Sequence, residues 1–140
     1  MLRDNSRGRP ARAWETPLHF VASFLDTATD SFRRFAPAVP TSAGTIATAD
    51  AWRAVQAGED LPAHPAMAFQ VPERQGDIVV VDERFVRAAH RRGLQVHVWT
   101  VNDTESMERL LGLGVDGIIS DVPTTLCGVL SSQGVAWDGC

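Results

Sequence analysis

The obvious carriers of chemistry in this sequence are four histidines, two cysteines and seventeen carboxylates among 140 residues. Imidazole moves protons near neutral pH and binds metals, but only where other ligating or proton-accepting groups converge on it. His19 and His97 fall within apolar runs, His64 in a loop, and His90 on an Arg-flanked helical face. No Cys/His spacing of a zinc site occurs, and no Gly-rich phosphate loop. Neither Cys127 nor Cys140 has a His or Glu nearby to activate it as a nucleophile. All thirteen basic residues are arginine, which excludes lysine-based chemistry. No residue is therefore assigned a catalytic role, and no metal-ligand set is found. What remains are polar and aromatic groups at the ends of apolar runs: Ser23 and Phe24, Gln70 to Glu73, Trp99 and Asn102, Ser120 and Asp121. The candidates for a substrate pocket are Gln70, Trp99 and Asn102. An indole can wall a pocket, and both amides can hydrogen-bond a ligand. Each has a plainer alternative: Trp99 as core, Asn102 as the residue that ends a strand and turns the chain. Asp121 can bind a metal or cap a helix, and a cap is the expected use. Glu73 and Arg74, beside Pro72, read as a solvated loop pair.

These groups need elements to position them. The central unit is Gly93 to Pro123, read as strand, helix, strand. Gln95 to Val101 is apolar or β-branched at nearly every position, the pattern of a strand buried on both faces in a parallel sheet. Asp103 is placed to cap a helix, Met107, Leu110 and Leu111 give it helical spacing, and Gly114 ends it. Val115 to Ser120 is a second short apolar run. Two parallel strands joined by a helix form a right-handed crossover. Upstream, Leu18 to Phe24 is a strand candidate, followed by a helix with Leu25, Ala28, Phe32 and Phe35 on one face. Pro40 to Gly44 reads as a loop and Thr48 to Ala57 as a short helix. Met67 to Val71 is another strand, Ile78 to Val81 an ancillary one, and Asp82 caps a helix running to about Arg92. Pro123 suits the first position of a last helix, Thr124 to Leu130. The tally is four principal parallel strands, each followed by helical material.

Two phrases in the central unit, VHVWTVND and GVDGIISDVP, resemble the C-terminal signature of the glycerophosphodiester phosphodiesterase family. The Ser-Phe at 23–24 and FQVPER at 69–74 resemble that family's fifth and sixth strands. The resemblance implies an α/β fold, the C-terminal half of a (β/α)8 TIM barrel, with its site at the C-terminal ends of the strands. It also implies a hydrolase that cuts a glycerophosphodiester to glycerol 3-phosphate and an alcohol, using a divalent cation, Mg or Ca. The family's His-Arg-Gly, Glu-x-Asp and Glu-x-Lys motifs are absent from this sequence. The chain is accordingly expected to be inactive alone, and its partners would be a missing N-terminal half or another copy of itself. The alternative is a non-catalytic binding or interaction domain derived from the barrel.

Length and composition agree with a partial barrel. A complete one typically has about 250 residues. A net charge of −4 points neither to nucleic acid nor to an anionic membrane surface. No run approaches the ~20 apolar residues of a membrane span, and no signal peptide is visible, so a cytoplasmic location is expected. Cys127 is expected as a free buried thiol with Cys140 in the tail, a bridge between them being the alternative. The domain plan is a disordered or linker segment at 1–12, a partial phosphodiesterase domain at 13–130, and a tail at 131–140.

Overall fold

The computed structural model describes residues 20–135. The linker expected at 1–12, the start of the first strand candidate and the end of the tail lie outside them. In chain order the elements are α1 (Asp26–Phe35), α2 (Thr45–Ala57), β1 (Ala68–Pro72), β2 (Arg74–Gln75), β3 (Ile78–Val79), α3 (Glu83–Arg91), β4 (Gln95–Trp99), α4 (Thr104–Leu113), β5 (Gly117–Ile118) and α5 (Pro123–Ser132).

β1, β4 and β5 form a parallel sheet with β4 in the centre. Ala68 to Pro72 pairs in step with Gln95 to Trp99, and His97 and Val98 pair with Gly117 and Ile118. Parallel pairing needs a crossover, and α3 and α4 supply it. Two isolated parallel bridges continue the sheet past β1: Ser42 with Ala68, and Val21 with Thr41. The segment expected to be a loop at 40–44 is thus a fifth strand position. It is too short to carry a periodic signal, but Thr41, Ser42 and Ala43 are buried there. Their backbone groups are satisfied by the neighbours: Ser42 N–H donates to Val21 C=O, and Ala43 N–H to Ala68 C=O.

The sheet is not buried on both faces, as the apolar run of β4 suggested. Phe69, Val71, Val96 and Val98 are fully buried and share one core with Phe85, Val86, Met107 and Leu110 of the helices. Gln70, Pro72, Gln95, His97 and Trp99, which alternate with them, are only partly buried. A strand with helices on one face buries every second residue.

Local chemistry sets the helix starts and stops. Asp82 accepts the Phe85 N–H at 2.8 Å and Asp103 the Ser106 N–H at 2.8 Å, so both expected caps form. α4 ends at Gly114, whose φ of 82° is left-handed and suits glycine. α2 is capped from outside itself. Asp26, the first residue of α1, accepts the N–H groups of Ile46 at 2.9 Å and Ala47 at 3.1 Å. Gly44 makes that approach possible, since a Cβ there would lie 2.5 Å from the Asp26 carboxyl carbon and 2.7 Å from its backbone nitrogen. α5 starts at Pro123 as expected and runs to Ser132, two residues into the expected tail. Cys127 is disulfide-bonded and not the free thiol expected; Cys140, the other cysteine of the sequence, lies outside the described residues. Among the described residues no helix is long and apolar enough to cross a membrane.

Candidate functional site

A groove of about 990 Å³ opens at the C-terminal ends of the parallel strands. Each strand end contributes to it: Ser23 and Phe24, Ser42 to Gly44, Gln70 to Pro72, Trp99 and Thr100, and Ile119. Two further elements complete the wall. Helix α2 presents Thr48, Trp52 and Arg53, and the β2–β3 hairpin presents Gln75 and Ile78. In parallel α/β sheets this end gathers loops from successive strands, which is why ligand sites form there.

Of the three residues expected in a pocket, Gln70 and Trp99 line this groove and Asn102 is not among its lining residues. Trp99 meets Phe24 edge to face, ring centroids 5.7 Å apart at 67°. Such a pair presents a fixed apolar wall. The Asn102 side chain instead joins the end of β4 to the residues after β5. Its Nδ2 donates to Asp121 Oδ2 at 3.0 Å, while its Oδ1 accepts Asp121 N–H at 2.9 Å and Ser120 Oγ–H at 3.2 Å. Asp121 is therefore not the cap of α5, which has no side-chain cap.

Gln70 faces His97 across the β1–β4 pair. The Gln70 Nε2 lies 3.4 Å from His97 Nδ1, and His97 Nε2 lies 3.1 Å from Gln95 Oε1. With the amide nitrogen donating, Nδ1 accepts and the imidazole proton sits on Nε2, pointing at Gln95. Burial lowers the His97 pKa, against a smaller upward pull from Asp116. The neutral ring is the form this setting favours. His90 and Asp116 meet at 2.8 Å at the other end of β4, where Asp116 also accepts Val96 N–H. His64 Nδ1 accepts Ala66 N–H at 3.1 Å, and its pKa is lowered by burial first and then by the charge of Arg33. Each of these three histidines thus has a polar neighbour within the fold.

The acids near the groove are engaged as well. Glu73 pairs with Arg109 of α4, and Arg74 donates to the Asp77 carbonyl, so the expected solvated Glu73–Arg74 pair does not form. Arg53 pairs with Asp50 at 2.7 Å. Among the described residues no group of three or more His, Cys, Asp or Glu could hold a metal ion. A divalent cation does not fit the donor set this part of the chain offers, because its acids at the strand ends are dispersed and already paired.

Sequence reasoning missed the contribution of α2 and the hairpin. The hairpin turns at Gly76, φ 59°, and is held from α2 by Trp52 Nε1–H donating to Val79 C=O at 3.1 Å. The only available signal was Gly76-Asp77 between two β-prone pieces, a turn signature.

Comparison with known proteins follows the same lines. The family model described as "Glycerophosphoryl diester phosphodiesterase family" matches residues 6–125. A Mycobacterium tuberculosis protein named "Probable glycerophosphodiester phosphodiesterase 2" is 44% identical over 70 residues, which cover 50% of this chain and 26% of that one. A glycerophosphodiester phosphodiesterase of Caldanaerobacter subterraneus subsp. tengcongensis is 32% identical over 79 residues, covering 56% of this chain and 32% of its own. A solved structure from Silicibacter pomeroyi DSS-3, assigned as a glycerophosphoryl diester phosphodiesterase, matches with TM-score 0.64 and 26% identity. It covers 84% of this chain and 39% of its own. One from Parabacteroides distasonis ATCC 8503 matches in fold, with TM-score 0.61 and 22% identity, over 81% of this chain and 43% of its own. The matches thus span between about a quarter and somewhat under half of the length of these relatives.

Proposed function

The chain belongs to the glycerophosphoryl diester phosphodiesterase family, and on that premise we propose that residues 13–130 are the C-terminal half of a (β/α)8 barrel that hydrolyses glycerophosphodiesters. The observation that carries this reading is the groove at the C-terminal strand ends, with Trp99 and Gln70 in its wall. In a barrel of this kind one half can bind and orient while the other supplies the reactive groups. Here Trp99 and Phe24 would pack against the carbon skeleton of the alcohol or glycerol part. Gln70, whose Nε2 lies near His97, keeps its carbonyl oxygen to accept from a substrate hydroxyl.

Hydrolysis of the diester requires charge neutralisation on the phosphoryl group and a proton donor for the leaving oxygen. The described residues offer neither a metal-binding group nor a histidine in the groove lining. The divalent cation and the acid–base groups would therefore come from a complementary N-terminal half. Loss of proton transfer alone costs roughly 10²–10⁴-fold in rate. The purified chain is expected to release no glycerol 3-phosphate from glycerophosphocholine, with or without Mg²⁺ or Ca²⁺. A separately expressed N-terminal half carrying His-Arg-Gly and Glu-x-Asp is expected to restore turnover on mixing. A coupled glycerol 3-phosphate assay on the chain alone and on the mixture decides it. Chelator-sensitive turnover by the chain alone would overturn the division of labour. A mixture that binds but never turns over would favour the non-catalytic binding domain.

A further inference from the structure

The geometry points to Asn102 as a positioning residue: its carboxamide locks the end of β4 to the segment after β5 and so holds Trp99 in the groove wall. This deepens the reading of the groove as a diester site, and rests on it only for the consequence in catalysis.

Three observations carry the inference. First, the amide is used on both sides. Its oxygen accepts two donors, Asp121 N–H at 2.9 Å and Ser120 Oγ–H at 3.2 Å, and its nitrogen donates to Asp121 Oδ2 at 3.0 Å. A carboxamide carries an acceptor and a donor on one carbon, and so can meet a backbone N–H and the same residue's carboxylate together. Second, the lock extends a backbone seam. Ile119 N–H donates to Val98 C=O at 2.9 Å and Val101 N–H to Ile119 C=O at 3.0 Å. Regular pairing of β4 with β5 stops at Val98 and Ile118. Beyond it, Asn102 is the side chain that continues the connection, and Ser120 Oγ accepts Val122 N–H at 3.1 Å to finish the turn. Third, the residues the lock encloses are groove residues: Trp99, Thr100 and Ile119 all line it, while Asn102 does not. Asn102 thus acts on the groove through the backbone it fastens. One of its three bonds is to a charged group, and such bonds are stronger than neutral ones.

The bond pattern specifies a sharp test. In Asn102→Asp, a carboxylate at 102 faces Asp121 with no donor between them. In the exchange variant, Asn102→Asp together with Asp121→Asn, every bond can re-form: position 102 accepts from the 121 N–H and from Ser120 Oγ–H, and the new amide at 121 donates back. The full 140-residue chain is labelled with 5-fluorotryptophan, its Trp99 signal is assigned by Trp99→Phe, and the Trp52 signal serves as internal control. Trp52 lines the same groove but is held by Val79. Asn102→Asp is expected to shift or split the Trp99 signal and leave Trp52 in place. The exchange variant is expected to restore the Trp99 signal. Amide hydrogen exchange measured by mass spectrometry gives a second readout that works equally on monomers and soluble oligomers. Peptides covering 98–102 and 119–122 should lose protection about tenfold in Asn102→Asp, and regain it in the exchange variant. A Trp99 signal unmoved in Asn102→Asp, a shift shared equally with Trp52, or an exchange variant no better than the single one overturns the role. None of these readouts uses turnover, so this inference fails separately from the proposed function.

Discussion

His97 stands between two glutamine side chains with a depressed pKa, caused mainly by burial. Its titration therefore has a definite sign. The unfolded chain binds a proton near 6.5, the ordinary value for histidine, whereas the folded chain resists until lower pH. Stability contributed by the neutral ring is present above about pH 6.5 and lost as the pH falls below it. His64, also depressed, adds in the same direction. Urea midpoints measured at pH 7.5 and 5.5 should show a lower midpoint at 5.5, and His97→Gln should reduce the difference. An equal difference in the variant would remove His97 as a source. Trp99 makes a second prediction at this scale. It is partly exposed and packs against Phe24, so it is neither a core residue nor a free surface one. Trp99→Ala should cost clearly less than the about 3–5 kcal/mol typical of a buried aromatic. A denaturation curve showing the full loss would make Trp99 part of the core.

Among elements, α2 depends on a partner remote in sequence. Its first free N–H groups are satisfied by Asp26 of α1, and no side chain of its own N-cap can do this, because the N-cap is Gly44. Asp26→Ala should cost about 0.5–2 kcal/mol, the range of an N-cap loss, although Asp26 is twenty residues from Ile46. Gly44→Ala should also destabilise, since the added methyl would overlap the Asp26 backbone nitrogen, which cannot swing away as a side chain can. Thermal melts of both variants check the pair. A neutral Gly44→Ala would mean that α1 yields more easily than this contact implies. α4 offers the comparison: Asp103 caps it locally, and the Ser106 N–H it accepts lowers its carboxyl pKa. Helices capped by a residue next to them can form early, whereas α2 needs α1 in place to complete its cap.

For the molecule as a whole, the two outer positions of the sheet matter most. Among the described residues β5 pairs only with β4, and Val21 only with Thr41. Open edges present unpaired N–H and C=O groups that recruit further strands. Large apolar side chains gather at the same end as the groove: Phe24 is 70% exposed, Leu25 66% and Ile46 69%, with Ile119 and Val122 beside β5. Edges and apolar surface together are the pattern of an association site. The isolated chain is expected to form dimers or larger species in sedimentation, with its apparent size rising with concentration. A concentration-independent monomer with a sharp cooperative melt would show that the edges are protected by another device.

The strong local patterns are legible in the sequence. Asp82 and Asp103 announce α3 and α4, Gly114 ends one of them, and the apolar runs at β1 and β4 give two of the strands. The motif order in VHVWTVND and GVDGIISDVP marks the family, because it records residues that meet at one end of a sheet. Tertiary structure alone decided the rest. Three buried residues at 41–43 are too few to show a period, so their strand position exists only because Val21 and Ala68 flank them. The apolar run of β4 could not reveal that, among the described residues, helices cover only one of its faces, since Trp99 and His97 tolerate partial burial and read as apolar or neutral in either setting. The contacts that shape the groove join residues far apart in the chain: Trp52 with Val79, Glu73 with Arg109, Asn102 with Asp121. A hydrogen bond between distant residues leaves no periodic trace in either segment. It depends on which backbone turns come within about 3 Å of each other, and the packing of helices on the sheet sets that distance.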